Sequence, residues 1–334
     1  MTSDTPTVYL TRDVPDAGLE LLEADCEVVV WPEDGPPPKE HVVEELARLD
    51  AEALFCNVSD VVDAAVLDAS PDLDVVSTLS VGYDHIDVAA AEERGIALGH
   101  TPGVLMETCA DFAWALMTAA ARRVVEAHGT VTDGEWGAWG PTVLAGPDVH
   151  GATLGVVGLG EIGTAVARRA AGFDMDVLYA HTGRQPETEA ELAEYGVDAE
   201  YVPHEELYAE SDFVTLHAPL RASTRRMVGR EEFRLMSEDA VFVNTGRGEL
   251  VDTDALDEAL ESGWIGAAAL DVTDPEPLPD DHSLLRHEPE KLVVTPHIGS
   301  ASIPTRTRMT EMAAENVLAA CRGESVPHSI YDDV

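Results

Sequence analysis

The chain has 334 residues, 45% of them apolar, enough for two domains with sizeable cores, and no apolar run approaches the roughly eighteen residues of a membrane-spanning helix. Twenty basic residues against 64 acidic ones leave a formal charge of −44, which excludes non-specific binding to nucleic acid or to an anionic membrane. The acids are spread along the chain, and such self-repulsion is relieved where molar salt shortens the screening length to about 3 Å, so a halophilic source is expected.

Taken in chain order, the opening MTSDTPTVYL lacks the charged and apolar regions of a signal peptide, and a cytoplasmic location is expected. TVYL (7–10), CEVVVW (26–31), AEALFC (51–56), LDVVSTLS (73–80) and IALGHT (96–101) read as strands separated by amphipathic stretches. That alternation predicts a parallel sheet covered by helices, and none of its turns carries a glycine-rich phosphate loop. Residues 103–127, rich in Ala, Met and Leu, read as one long helix, followed by the arm GEWGAWGP (134–141). From Thr153 a second series begins, with strands in LGVVGLG, DVLYAH, FVTLHAP, AVFVNTG, GAAALDV and KLVVTPH, and a last helix over about 305–322. The expected fold class is therefore α/β, with two doubly wound parallel-sheet units. Cys26, Cys56, Cys109 and Cys321 show neither CxxC nor metal-ligand spacing; they read as reduced thiols, and no metal site is expected.

The segment 153–173, TLGVVGLGEIGTAVARRAAGF, is a strand, a G-x-G-x-x-G turn and a helix. Gly158 permits the tight turn, Gly160 lets the backbone approach a pyrophosphate, and Gly163 allows helix and strand to pack closely. With Leu159, Glu161 and Ile162 between them, they bring a helix N-terminus and its unpaired N–H groups to the phosphates of a dinucleotide. An acid that grips a ribose hydroxyl normally lies at the end of the second strand. VLYAHTGR (177–184) has none there: Asp176 lies at the wrong end of the strand, and Glu187 is several residues into the loop. His181, Thr182 and Arg184 are donors suited to a 2′-phosphate, so NADP(H) is the expected cofactor. NAD(H) is also used if a neighbouring carboxylate holds Arg184.

Three later strand ends carry side chains with chemistry. VNTGRGELVD (243–252) offers Arg247 between two glycines, DVTDPEPLP (271–279) sets Glu276 between prolines, and TPHIGSA (295–301) places His297 after a strand. Singly, each has a bland counterpart: a paired arginine, a surface glutamate, a structural histidine. Together they supply what hydride transfer to a 2-keto acid requires. Arg247 can hold the carboxylate and polarise the carbonyl, His297 can protonate the new alkoxide, and Glu276 can orient His297.

The order and spacing of VGYDHID (81–87), TPG (101–103), TLGVVGLGEIG (153–163), HAPL (217–220), VNTGRGELVD, DVTDPEP and TPHIGS resemble the D-isomer-specific 2-hydroxyacid dehydrogenases. That family includes glyoxylate/hydroxypyruvate reductases, D-lactate dehydrogenases and phosphoglycerate dehydrogenases. The resemblance runs nearly end to end. It implies a Rossmann cofactor domain, 101–299, inserted into a flavodoxin-like substrate domain made of 1–100 and 300–334. It implies that Arg247, Glu276 and His297 are catalytic and that backbone N–H groups around Val81 and Gly82 bind the substrate carboxylate. Thr108, Leu216, Ala218 and Pro219 would lie near the nicotinamide or its ribose, as would Thr245, Gly246, Asp271 and Gly299. The long helix and the Trp136/Trp139 arm resemble the segment through which these proteins form homodimers.

The substrate expected is a small 2-keto or 2-hydroxy acid. A phosphoglycerate dehydrogenase-like role is an alternative, though residues 1–100 hold few basic residues for a phosphorylated substrate. Some relatives of the fold are nucleotide-sensing corepressors that bind peptides, a role the charge of −44 disfavours.

Overall fold

The computed structural model describes residues 5–332, and the chain divides after Leu105 and after Ser300 into two compact units. The first contains β1 (Thr7–Leu10), β2 (Glu27–Val30), β3 (Ala53–Cys56), β4 (Val75–Thr78) and β5 (Ala97–Gly99), all parallel, in the order β2-β1-β3-β4-β5. Every residue of β3 and β4 is buried, because a parallel sheet is covered on both faces, and their sequences accordingly show no polar alternation. Its helices are α1 (Asp16–Glu23), α2 (Lys39–Leu49), α3 (Ala64–Leu67), α4 (Val88–Arg94) and, from the far end of the chain, α12 (Ile303–Cys321). Val42 and Leu46 of α2, Val66 of α3 and Ala91 of α4 share a core with Tyr9, Leu54 and Val76. Helices α1 and α12 meet so closely that a Cβ on Gly18 would come within 2.8 Å of the Thr310 carbonyl oxygen, so only glycine fits there.

The second unit opens with α5 (Met106–Ala121) and α6 (Val124–Thr132) and then winds through β6 (Thr153–Val157), α7 (Glu161–Arg169), β7 (Asp176–Ala180), α8 (Pro186–Glu194), β8 (Ala199–Tyr201) and α9 (His204–Glu210). It continues with β9 (Phe213–Leu216), α10 (Arg230–Leu235), β10 (Val241–Asn244), α11 (Thr253–Ser262), β11 (Ala267–Leu270) and β12 (Leu292–Val294). The seven strands are parallel in the order β12-β11-β10-β9-β6-β7-β8. The winding reverses between β6 and β9, the place where doubly wound sheets take ligands beyond the strand C-termini. Helices begin where the sequence supplies an acceptor: Asp252 and Ser302 accept backbone N–H bonds at the starts of α11 and α12, each cap contributing about 1 kcal/mol.

Two features depart from the sequence reading. The helix expected over 103–127 is broken: α5 ends at Ala121, and Arg123 takes a left-handed conformation (φ 52°) before α6. The break falls where the buried face ends, since α5 buries eight residues and α6 none. Arg123 is held there by a two-pronged bond to Glu126, at 2.7 and 2.8 Å. The edge strand β8 was not anticipated, because only Ala199 of its three residues is buried and its sequence carries no apolar run. Among the described residues no helix is long and apolar enough to cross a membrane.

Candidate active site

Because all seven strands of the second unit run parallel, the segments that follow β6, β7, β9, β10, β11 and β12 emerge at one edge of the sheet. The glycine turn comes first. Gly158 has φ +97°, and a Cβ on it would meet the His217 carbonyl at 2.8 Å. A Cβ on Gly163 would meet the Gly158 oxygen at 2.0 Å, so strand and helix pack only through glycine. Gly160, the residue before α7, differs: a Cβ there would meet nothing within 4 Å. The fold itself therefore sets no demand for glycine at 160, whereas a pyrophosphate closing on the backbone does. After β10 the Thr245 hydroxyl is buried with no hydrogen-bond partner among the described residues. A glycine cradle at a helix start and an unpartnered hydroxyl fit a dinucleotide cofactor.

The end of β7 is more constrained than the sequence suggested. The Leu159 N–H donates to His181 Nδ1 at 3.2 Å, so His181 braces the glycine turn. Arg184 is gripped by Glu189 of α8, with Nε 2.9 Å from Oε1 and Nη2 2.7 Å from Oε2. The Tyr179 hydroxyl donates to the same Oε1 at 2.5 Å. Bonds from Arg184 first, then Tyr179, hold the Glu189 carboxyl below its ordinary range, keeping the pair ionised. This segment thus contains a carboxylate, supplied from α8 and neutralised by the arginine.

At the end of β10, Asn244 is 1% exposed and holds both sides of the next turn. Its Nδ2 donates to the Arg247 carbonyl at 2.9 Å, and its Oδ1 accepts from the Gly246 N–H at 3.0 Å. Arg247 Nη1 donates to the Gly246 carbonyl at 3.0 Å. A Cβ on Gly248 would overlap the Thr273 carbonyl at 2.0 Å, so the arginine turn lies directly against the loop that carries Glu276. Glu276 Oε1 accepts from His297 Nδ1–H at 2.6 Å. Burial alone would raise the Glu276 carboxyl, but the hydrogen bond to His297, its charge, the Thr273 N–H and the Arg247 charge together bring it below the ordinary value. It stays ionised and acts as acceptor, which leaves His297 Nε2 available for proton transfer.

His297 itself sits at φ +54°, unusual for a residue with a Cβ. Asp271, 2% exposed at the end of β11, enforces that turn. Its Oδ1 accepts from the Thr295 hydroxyl (2.6 Å) and the Ile298 N–H (2.9 Å), its Oδ2 from the Gly299 N–H (2.7 Å), and its carbonyl from the His297 N–H (2.9 Å). Asp271 and Gly299, which the resemblance puts near the nicotinamide or its ribose, are thus bonded to each other across the turn that carries the histidine.

The remaining expected residues scatter more. Leu159 and Leu216 point into the core, 3% and 0% exposed, so only their backbones can face a cofactor. Glu161 and Ile162 form the first turn of α7, and Thr108 lies half-buried in the first turn of α5. Ala218 and Pro219 follow β9, beside His217, which the sequence reading passed over. His217 Nε2 is 2.8 Å from the Thr215 hydroxyl, and burial pushes its pKa down to about 4, so it stays neutral next to the glycine turn. In the first unit, Val81 and Gly82 follow β4 with both carbonyls engaged, by His100 Nδ1–H (3.0 Å) and by the Ser80 hydroxyl (2.7 Å).

Comparison with known proteins bears directly on this arrangement. Residues 114–299 match the family described as D-isomer specific 2-hydroxyacid dehydrogenase, NAD binding domain. The chain belongs to that family. It is 48% identical over 330 residues to a glyoxylate reductase of Korarchaeum cryptofilum, covering 98% of this chain and 97% of that protein. Among solved structures, the TT0316 protein of Thermus thermophilus superposes with a TM-score of 0.89 at 44% identity, covering 97% of this chain and 99% of that one. An NADPH-dependent glyoxylate/hydroxypyruvate reductase of Sinorhizobium meliloti, solved with NADP and malonate, gives 0.83 at 28% identity, covering 98% and 97%. The chain is an NAD(P)-dependent oxidoreductase of the glyoxylate reductase-like type, and the two parallel-sheet units are the architecture of this dehydrogenase family.

Proposed function

We propose that this dehydrogenase reduces small 2-keto acids, glyoxylate first among them, with NADPH preferred over NADH and His297 as the proton donor. The observation that carries the reading is the 2.6 Å bond between His297 Nδ1 and an ionised Glu276, beside a loop into which the Arg247 turn is packed. The nicotinamide, when bound, supplies the hydride. Gly158, Gly160 and Gly163 admit its pyrophosphate, with Thr245 and the backbone around Leu216, Ala218 and Gly246 alongside. Arg247 binds the substrate carboxylate and polarises the carbonyl through its fork. Protonated His297 gives its Nε2 proton to the carbonyl oxygen as the alkoxide forms, and Glu276 keeps hold of the Nδ1 proton and stabilises the charged ring. Run backwards, neutral His297 takes the proton from a 2-hydroxy acid.

The NADPH preference rests on His181, Thr182 and Arg184. Because Glu189 neutralises Arg184, that preference is modest, on the order of tenfold in kcat/KM, and NADH is also used. Trp136 and Trp139 are 72% and 87% exposed on the arm after α6, which supports assembly as a homodimer through that arm. The charge of −44 supports a salt-adapted cytoplasmic protein that unfolds when molar salt is diluted away, a loss that circular dichroism across a salt series would register. The function is tested by assaying a panel of 2-keto acids with NADPH and NADH at molar salt. Glyoxylate reduction favouring NADPH is expected; no turnover of any short 2-keto acid would refute the reading.

A further inference from the structure

The first unit is assembled from two separate stretches of chain, and two of its cysteines lie where those stretches meet. Cys26 immediately precedes β2, and Cys321 is the last residue of α12. The two side chains are near enough for each thiol to perturb the ionisation of the other. The residues next to them, Asp25 and Arg322, form an ion pair, so two consecutive residues on each segment face each other. Cys26 is 6% exposed and Cys321 is half-buried. Both belong to the first unit, whereas Arg247, Glu276 and His297 belong to the second, and the function proposed above uses neither.

We propose that Cys26 and Cys321 are an oxidisable pair, and that a small-molecule disulfide converts them to a disulfide bond joining the two segments of the first unit. The chemistry is two successive exchanges. The more accessible Cys321, as thiolate, attacks the reagent: a Cys321–reagent S–S bond forms, the reagent's own S–S bond breaks, and one reagent thiolate leaves. Cys26, on the facing segment, then loses its proton and attacks the Cys321 sulphur, forming the Cys26–Cys321 bond and displacing the second reagent thiolate. The two protons given up by the cysteines end on the two released thiols. The two cysteine sulphurs are oxidised and the two reagent sulphurs reduced.

Burial lifts both thiols above their ordinary range, Cys321 to about 12, so the exchange is slow and quickens with rising pH. The product closes a loop of chain that includes the whole second unit. Such a closure restricts the unfolded chain far more than the folded one, in which the Asp25–Arg322 ion pair already holds the two segments together. Covalent fastening therefore stabilises the first unit while leaving the candidate active site untouched.

The test uses the full-length protein at molar salt, incubated with oxidised glutathione and then mapped by peptide mass spectrometry under non-reducing conditions. The expected result is a single cross-link between the peptides holding Cys26 and Cys321, with two of the four cysteines still free. The unfolding midpoint should rise on oxidation and fall back with dithiothreitol. Cys26→Ser and Cys321→Ser should each abolish both changes while keeping 2-keto acid reduction at the wild-type level. Four free thiols after oxidation, a stable glutathione adduct on Cys321 with no cross-link, or a link through Cys56 or Cys109 would each overturn the proposal. The mapping of the wild-type protein decides the matter even if a serine variant fails to fold.

Discussion

Two carboxylates in the second unit do the same physical thing to opposite effect. Glu276 accepts a hydrogen bond from His297 Nδ1–H at 2.6 Å, and Glu189 accepts from Arg184 at 2.7 and 2.9 Å. Both are held ionised by the partner they bind. In the proposed function Glu276 engages the side of the ring that does no chemistry, so pairing orients His297 and leaves Nε2 for the substrate. Glu189 engages Nε and Nη2, part of the donor fork that would meet a 2′-phosphate, so in the proposed function pairing weakens the NADPH preference. Pairing a functional cation helps or hinders according to which of its donors is taken, a fact that burial and residue type leave hidden.

Substitutions at these two pairs sharpen or break the contrast. The largest effect belongs to His297→Ala, which should lower kcat for glyoxylate by about 10²–10⁴-fold, the span of a lost general acid, with cofactor affinity unchanged. Glu276→Gln should cost about tenfold or more in kcat while changing KM little, because an amide can hold the ring but cannot stabilise its charge. The pH dependence follows from the depressed Glu276 carboxyl. Its orienting role is complete above the ordinary glutamate value of about 4.3 and is lost only as pH falls through its lower folded value. A pH–rate profile should thus show the Glu276-dependent loss below about pH 4, and a wild-type loss assignable to Glu276 above about pH 5 would contradict that.

At the other pair the effects are smaller. Arg184→Ala should reduce kcat/KM for NADPH about tenfold, equal to about 1.4 kcal/mol, and leave NADH within about twofold. Glu189→Gln should move the ratio the other way, raising the NADPH preference about two- to threefold by releasing the guanidinium from an exposed ion pair worth a fraction of a kcal/mol. Equal responses of the two cofactors to both substitutions would remove this segment from cofactor choice.

What was legible in the sequence divides along similar lines. The fully buried strands β3 and β4 announce themselves as apolar runs, and the glycine turn is readable because backbone atoms sit within 2.9 Å of where a Cβ of residue 158 would be. Arg247, Glu276 and His297 each follow a strand of one parallel sheet, so their convergence at one edge follows from the strand count alone. The supports of these groups were not legible. Asn244 clamps the Arg247 turn and Asp271 fastens the His297 turn through bonds that span up to 28 residues, and nothing local distinguishes those two side chains from other polar residues at strand ends. Glu189 escaped notice because it returns to Tyr179 from within the next helix. The break at Arg123 is hidden for a different reason: Val124 and Val125 continue the apolar pattern past the point where the buried face stops.

The most direct test of the account is the steady-state reduction of glyoxylate by NADPH at molar salt, for the wild-type protein and His297→Ala, with NADPH affinity measured in parallel. The account predicts a fall in kcat of at least about 10²-fold at unchanged cofactor affinity. Turnover near the wild-type level in a variant that binds NADPH normally would show that the proton comes from elsewhere and would contradict it.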